Sequence, residues 1–164
     1  SVTALSDLFY DYKHELVTYV STGEDTPIAK GIPSSHGFTT GKIVFGQMMK
    51  WDNFSRYILI KEITTTDDLD LIERVDAVVT TNGGYTSHPA VVCRQMKKTC
   101  VVSASPIEIL NKNTVKIGDK IFNEYDEISV IGDTGEIFES QPAYNTKFLF
   151  ADEYFEIFNK KLDW

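Results

Sequence analysis

A histidine follows two adjacent glycines and two hydroxyl residues near the middle of the chain, in the order Gly83-Gly84-Tyr85-Thr86-Ser87-His88. Neutral imidazole is a nucleophile near pH 7, and a phosphorylated imidazole is a good leaving group, so a histidine can carry a phosphoryl group. Glycines adopt positive φ and let backbone N–H groups approach a phosphate, and hydroxyls add further donors. His88 is therefore a candidate phosphoryl acceptor, with Gly83, Gly84, Thr86 and Ser87 as its supporting loop.

The elements that must position this loop are predicted from the residues on either side of it. A β-branched run indicates a buried strand over residues 76–81, and an apolar helical pattern indicates a helix over residues 88–96. The first-turn N–H groups of such a helix have no partner within it and carry the positive end of its dipole. An anion beside His88 is stabilised there.

Two further features of the same unit follow from local chemistry. Thr86 and Ser87 can cap the helix, and Pro89 is tolerated because the first helical turn has no N–H bonds to lose. A strand over residues 99–102 then completes a parallel strand–helix–strand crossover. Such a unit places its functional loop at the carboxyl end of the first strand, where His88 falls.

A second interpretation of these residues involves no chemistry. The glycines then only turn the chain, and His88 is a polar residue of the first helical turn.

Of the other two histidines, His36 is predicted to be an exposed loop residue, and His14 to be a surface residue of an N-terminal helix. Asp67, Asp68 and Asp70 are interpreted as helix-start charges rather than as a metal site.

Residues 81–94 read T-N-G-G-Y-T-S-H-P-A-V-V-C-R. This stretch resembles the signature T-x-G-G-x-T-S-H-A-A-x-V-A-R of the phosphohistidine "mobile" or swivelling domain of phosphoenolpyruvate-utilising enzymes. The likeness is most specific to the central domain of the pyruvate, phosphate dikinase family, and residues 31–45, 98–102 and 117–138 support it. It covers residues 31–139.

The chain departs from that pattern at several positions while keeping Gly-Gly-x-Thr-Ser-His. Pro89 and Cys93 stand where the family usually has alanine, Gln95 where it has glycine, and His36 where it has proline. Thr86 lies at the offset of a regulatory phosphorylation site in plant dikinases, and the resemblance extends that possibility to this chain.

The resemblance implies an α/β fold of the swivelling β/β/α type and a carrier function. A nucleotide-binding domain would phosphorylate Nε2 of His88, and the domain would swing to deliver the phosphoryl group to a barrel domain that binds phosphoenolpyruvate or pyruvate. Magnesium and ATP or AMP are expected on those partner domains, and no cofactor or metal on this one. The chain lacks a Gly-rich ATP-binding loop with a lysine and is too short to include a barrel domain, so it is not expected to turn over alone.

Two rival interpretations remain. In the first, the chain is a carrier domain from a relative, such as a phosphoenolpyruvate synthase, the first enzyme of the sugar phosphotransferase system or a rifampicin phosphotransferase. In the second, it is a regulatory or binding module that has kept the fold and lost phosphotransfer. Phosphorylation of His88 separates the second rival from the carrier.

Composition excludes several other classes of protein. The chain has 164 residues, 42% of them apolar, and a formal charge of −8 with a pI near 4.8, which argues against binding nucleic acid or anionic membranes. Its two cysteines, Cys93 and Cys100, are predicted to be reduced core residues. The sequence has no apolar run of membrane-spanning length, so a cytoplasmic protein is expected.

Three regions are predicted along the chain: an N-terminal amphipathic helix and linker over residues 1–30, the phosphohistidine swivelling domain over 31–139, and a C-terminal linker and helix over 140–164. The first helix is predicted over residues 3–20 because apolar residues recur there at steps of three and four. The acceptor, the flux direction and the oligomeric state are not determined by the sequence.

Overall fold

The computed structural model describes residues 17–21, 26–46, 51–139 and 144–148 of the protein. In these ranges the fold is mixed α/β, mostly sheet with two α-helices. The helices are α1 (Leu69–Arg74), which follows a 3₁₀ turn over Thr66–Asp68, and α2 (His88–Met96). The strands are β1 (Val17–Ser21), β2 (Ala29–Ser35), β3 (Phe38–Val44), β4 (Tyr57–Lys61), β5 (Ala77–Thr80), β6 (Thr99–Ser105), β7 (Ile107–Asn111), β8 (Thr114–Ile117), β9 (Lys120–Asn123), β10 (Glu127–Ile131), β11 (Glu136–Phe138) and β12 (Tyr144–Phe148).

Seven strands close into a barrel in the order β10-β11-β2-β6-β5-β4-β3, with β3 pairing back onto β10. The neighbours β3, β4, β5 and β6 are parallel, and the other pairs are antiparallel. Closure leaves the barrel without free strand edges. The parallel unit β5–α2–β6 is the crossover predicted from the sequence.

The central parallel strands β4 and β5 are buried on both faces, which explains their largely apolar sequences. Because side chains alternate along a strand, Ile58 and Ile60 of β4 point into the barrel and Leu59 points outward. The outward layer packs against Ile72 of α1 and Cys93 of α2. The two helices are thus held on the outside of the parallel half of the barrel, and α2 carries His88 with it.

A separate sheet, in the order β7-β8-β9, covers part of the barrel core. Val115, Ile117 and Phe122 of this sheet are buried in the same cluster as the barrel interior. Apolar residues alternate with polar ones in β8, as expected for a strand with one buried face. The alternation of Ile107 and Ile109 with polar residues was the available signal for β7.

The predicted N-terminal helix is wrong over residues 17–20, because these residues belong to β1. This strand pairs antiparallel with β12, Val17 opposite Phe148 and Tyr19 opposite Thr146. The prediction of a linker and helix is likewise wrong over residues 144–148. Valine, threonine and tyrosine favour strands, and cross-strand pairing overrides a helical spacing of apolar residues. The rest of both predicted helices, with His14, lies outside the described residues.

Residues 31–37 are rich in glycine, serine and proline, which favour turns, but they contain most of β2. This strand pairs with β6 with register shifts between Lys30 and Ile32 and between Pro33 and Ser35. Such irregularities are the places where a strand accommodates glycine and proline. Gly31 and Pro33 therefore signalled bulges in a strand rather than a turn.

Candidate functional site

The loop over residues 81–87 joins the end of β5 to the start of α2, as predicted. Because β4, β5 and β6 run parallel, this loop lies at their shared carboxyl edge. Two backbone bonds fasten its start to the end of β4: Thr81 N–H donates to Lys61 O at 3.2 Å, and Asn82 N–H donates to Glu62 O at 3.0 Å.

The two glycines of the loop have different roles. Gly83 has φ +102°, and a Cβ built there would lie 2.9 Å from Ser87 Oγ and 3.0 Å from Ile63 Cδ1. Gly84 has no positive φ, and a Cβ there would meet no atom within 4 Å. The expectation that Gly84 supplies the left-handed conformation is therefore wrong, since the chain reverses at the preceding residue.

Every carbonyl of residues 82–85 accepts a hydrogen bond from a side chain. The donors are Thr80 Oγ1 to Asn82 O at 2.7 Å, Ser103 Oγ to Gly83 O, Ser87 Oγ to Gly84 O at 2.6 Å and an Arg94 guanidinium nitrogen to Tyr85 O at 2.6 Å. These bonds hold the loop at successive peptide groups and satisfy the negative ends of their dipoles.

The N–H groups of the same loop are in the opposite situation. Within the described residues, no acceptor is assigned to the N–H groups of residues 83–86. At the start of α2, the N–H groups of His88 and Ala90 have no intrahelical partner, and Pro89 has no N–H. A concentration of unpaired N–H groups at a loop–helix junction is a binding site for an anion.

Ser87 is the N-cap residue of α2, but its hydroxyl does not cap the helix. It donates to Gly84 O, and Ser87 N–H donates to the same oxygen at 3.0 Å. Thr86 is exposed and, in the described part of the chain, its hydroxyl makes no hydrogen bond. The predicted capping by Thr86 and Ser87 is therefore wrong, because Thr86 is exposed and the Ser87 hydroxyl closes the turn instead.

The imidazole of His88 is held at one nitrogen. Its Nδ1 lies 3.0 Å from Oγ1 of Thr64, a residue that is 1% exposed. When Nδ1–H donates to the Thr64 hydroxyl, Nε2 keeps its lone pair and is the nucleophilic nitrogen. Thr64 was not among the site residues predicted from the sequence. Its position after β4, which neighbours β5 in the sheet, was the signal that it would reach His88.

Asp68 bonds to residues on both sides of this threonine, Lys61 and Thr65. Its Oδ1 accepts from Lys61 Nζ at 2.7 Å, and its Oδ2 accepts from Thr65 N–H at 2.9 Å. Burial alone would raise the pKa of Asp68, but the bonds from Lys61 and Thr65 and the nearby His88 outweigh burial and lower it. Asp68 thus remains an ionised carboxylate in the folded protein.

A cleft of about 350 Å³ lies on the other side of the loop. It is lined by Pro33, Ser34, Ser35, His36, Tyr85, Arg94, Lys97, Gly132 and Asp133. His36 was predicted to be an exposed loop residue, but its side chain is only 24% exposed and its Nδ1 lies 2.6 Å from Asp133 Oδ1. The prediction is wrong because the β10–β11 turn brings a carboxylate to this histidine.

The two cysteines lie in α2 and β6, the two elements that follow the loop. Cys93 and Cys100 are both buried, as predicted, and each is a free thiol. The pKa of the Cys100 thiol is raised, mainly by its hydrogen bond with Cys93 and also by its burial. Neither sulfur is exposed to react as a thiolate.

In the described ranges, no group of three or more His, Cys, Asp or Glu side chains is arranged to hold a metal ion. No helix in those ranges is both long enough and apolar enough to cross a membrane.

The described fold is a closed barrel with external helices and a histidine at a loop–helix junction, and comparison with known proteins identifies its family. The family model described as "PEP-utilising enzyme, mobile domain" matches residues 54–135. The chain belongs to this family of mobile domains of phosphoenolpyruvate-utilising enzymes.

Curated relatives narrow the likeness. The chain is 35% identical over 120 residues to pyruvate, phosphate dikinase 1, chloroplastic, of Arabidopsis thaliana, covering 71% of this chain and 12% of that protein. It is 39% identical over 115 residues to the pyruvate, phosphate dikinase of Giardia intestinalis and 37% identical over 116 residues to that of Rickettsia bellii, covering 68% and 69% of this chain. The chain spans 12–13% of the length of these three relatives.

Proposed function

We propose that this domain carries a phosphoryl group on Nε2 of His88 between two partner sites, as part of a phosphotransferase of the pyruvate, phosphate dikinase type. The observation that carries the proposal is the contact between His88 Nδ1 and Thr64 Oγ1, made beside a loop with unpaired N–H groups. The contact leaves Nε2 to react, and the N–H groups are suited to the negative charge of a transferred phosphoryl group.

In the forward step, the Nε2 lone pair attacks phosphorus, the N–P bond forms, and the P–O bond to the leaving group breaks. The proton stays on Nδ1, hydrogen-bonded to the Thr64 hydroxyl, so no proton has to leave the ring. In the second step, an enolate oxygen of pyruvate attacks the same phosphorus and the N–P bond breaks, which gives phosphoenolpyruvate and restores neutral imidazole.

The donor and acceptor sites lie on partner domains in this proposal: a nucleotide-binding domain and a domain that binds phosphoenolpyruvate or pyruvate. The chain spans only 12% and 13% of the length of two relatives, which supports the proposal that the donor and acceptor sites lie on other domains. The barrel with external helices is proposed to be the swivelling β/β/α unit that moves between them. Cytoplasmic residence is proposed from the same composition argument as above.

Magnesium and nucleotide are also assigned to the partners. The residues beside His88 do not fit a magnesium site, because Asp68 uses one oxygen for Lys61 and the other for Thr65 N–H. Hard divalent cations need several oxygen ligands. The chain's own residues instead orient the imidazole and bind the anion.

The test is intact-mass spectrometry of the chain after incubation with phosphoenolpyruvate, magnesium and the C-terminal domain of a pyruvate, phosphate dikinase. We expect one added phosphoryl group that is labile in acid and stable in base, which distinguishes phosphohistidine from a phosphoester. His88→Ala should abolish the label and keep the fold, because His88 is a half-buried residue at a helix start. The chain alone should show no steady turnover of ATP with pyruvate.

His36→Ala is the matched control, since His36 is also half-buried and bonded through Nδ1. Loss of the label in His36→Ala but not in His88→Ala would overturn the assignment. Absence of any label with a competent partner would favour the non-catalytic binding module.

A further inference from the structure

The Thr64 hydroxyl that contacts His88 belongs to a short connection between β4 and the 3₁₀ turn. Residues 62 and 63 of this connection are exposed, so packing does not fix its course. Thr64 itself is buried. The bond from Asn82 N–H to Glu62 O holds the start of the connection, so a further contact is needed beyond Glu62, where the Thr64 hydroxyl lies.

Asp68 makes that contact at both ends of the connection. One carboxylate oxygen accepts from Lys61, the last residue of β4, and the other accepts from the N–H of Thr65, directly after Thr64. Asp68 N–H donates to Thr65 O at 2.9 Å, which adds a third bond to the same turn. The Asp68 side chain is 11% exposed and the Lys61 side chain 30%, so water screens this ion pair only in part.

The negative charge of Asp68 favours the same orientation of His88 as the hydrogen bonds do. Asp68 and His88 are near enough to interact electrostatically. A carboxylate on the Thr64 side of the ring favours the tautomer that directs an N–H bond toward it, with the proton on Nδ1. The ring then presents the Nε2 lone pair on its opposite side.

We infer that Asp68, clamped by Lys61, is a positioning residue that acts through Thr64 to hold His88 in the Nδ1–H tautomer. This inference rests on the proposed function for its catalytic meaning, but the tautomer itself is a property of the unphosphorylated chain. Asp68 does not touch the transferred group. Its effect on phosphotransfer is carried by the direction of one imidazole.

The experiment measures the tautomer of His88 in the full chain by long-range ¹⁵N–¹H correlation NMR at a pH where the ring is neutral. We expect the wild-type signals to report a proton on Nδ1. Asp68→Asn cannot accept from Lys61 and Thr65 with equal strength and has no charge, so it should shift His88 toward the Nε2–H tautomer. Asp67→Asn is the control, since Asp67 is an exposed acid one residue away.

A rate measurement tests whether Asp68 acts through Thr64. Asp68→Asn should slow partner-driven phosphorylation by about 10-fold, by analogy with the lower end of the range for residues that orient metal-binding histidines. Thr64→Val should slow it by at least as much. Adding Asp68→Asn to Thr64→Val should slow it little further, because the two residues act in series.

Wild-type tautomer in Asp68→Asn would overturn the inference, whatever the phosphorylation assay shows. A shifted tautomer in a chain that no partner can phosphorylate would keep the inference and remove the proposed function. If Asp68→Asn fails to fold, Lys61→Met breaks the same clamp from its more exposed end, and Lys61→Arg should restore the wild-type spectrum. Equal tautomers in Lys61→Met and wild type would then count as the negative result.

Discussion

The guanidinium carbon of Arg94 lies 3.8 Å from the centroid of the Tyr85 ring, in a cation–π contact. The same guanidinium donates to Tyr85 O at 2.6 Å and to Ser34 O at 3.0 Å. Arg94 lies in the last turn of α2, and Ser34 lies in β2. One side chain therefore fastens the loop before His88 to strand β2 of the barrel.

Arg94→Lys should loosen the loop because an ammonium group cannot reproduce the planar, divergent donors of arginine. We expect a loss of about 1–2 kcal/mol in the free energy of unfolding, below the full value of two charged hydrogen bonds because the site is partly solvated. Amide hydrogen exchange at residues 83–87 should accelerate. Arg74→Lys is the control, since exposed Arg74 makes a single bond to Asn53.

Gly83→Ala and Gly84→Ala form a pair that tests which of the two glycines turns the chain. Alanine at position 83 must adopt φ near +102° and place a methyl group against Ser87, which we expect to cost about 1–3 kcal/mol. Alanine at position 84 meets open space and should leave stability nearly unchanged. Equal unfolding midpoints in urea for both variants would contradict the conformation of the loop.

The elements of the site could be predicted from the sequence because their signals are local. The β-branched run ending at Thr80 fixed a buried strand, and the apolar spacing after Ser87 fixed the helix bounds at residues 88–96, which the structure confirms. The parallel crossover between them follows from the general handedness and spacing of such units. His88 was singled out on its position at that junction.

The contacts that orient His88 could not be predicted, because they join residues far apart in the chain. Thr64 reaches His88 across 24 residues, and Ser103 reaches Gly83 across 20. Local patterns report which residues share a helix face or a strand, but pairing between strands decides which loops meet. The same limitation explains β1, whose pairing with β12 no local periodicity revealed.

Thr64→Val tests the hydroxyl that contacts His88 while keeping the shape of the buried side chain. We expect slower phosphorylation of His88 by at least about 10-fold, because the ring loses the acceptor that fixes its proton. Thr64→Ser keeps the hydroxyl and should retain most of the rate. The measurement is the initial rate of mass increase with a phosphorylating partner.

Thr66→Val provides the control for that comparison, because Thr66 is an exposed threonine of the same connection. A rate loss as large in Thr66→Val would show that the segment tolerates no valine, rather than that the Thr64 hydroxyl matters.

The Asp68 carboxylate gives the stability of the domain a defined dependence on pH. Burial opposes its ionisation, but the bonds from Lys61 and Thr65 win, so the folded-state pKa lies below the ordinary value of 3.8. A group with a depressed pKa stabilises the folded state above its unfolded pKa and loses that contribution as pH falls through the folded pKa. Asp68→Asn should therefore be less stable than wild type at pH 7, and the difference should shrink below about pH 3.8.

Urea unfolding of both proteins between pH 7 and pH 3 measures this difference. Asp67→Asn is the control, and its difference from wild type should stay small throughout. A stability gap for Asp68→Asn that is constant or grows toward pH 3 would mean that the carboxylate is not stabilised in its ionised form by Lys61 and Thr65.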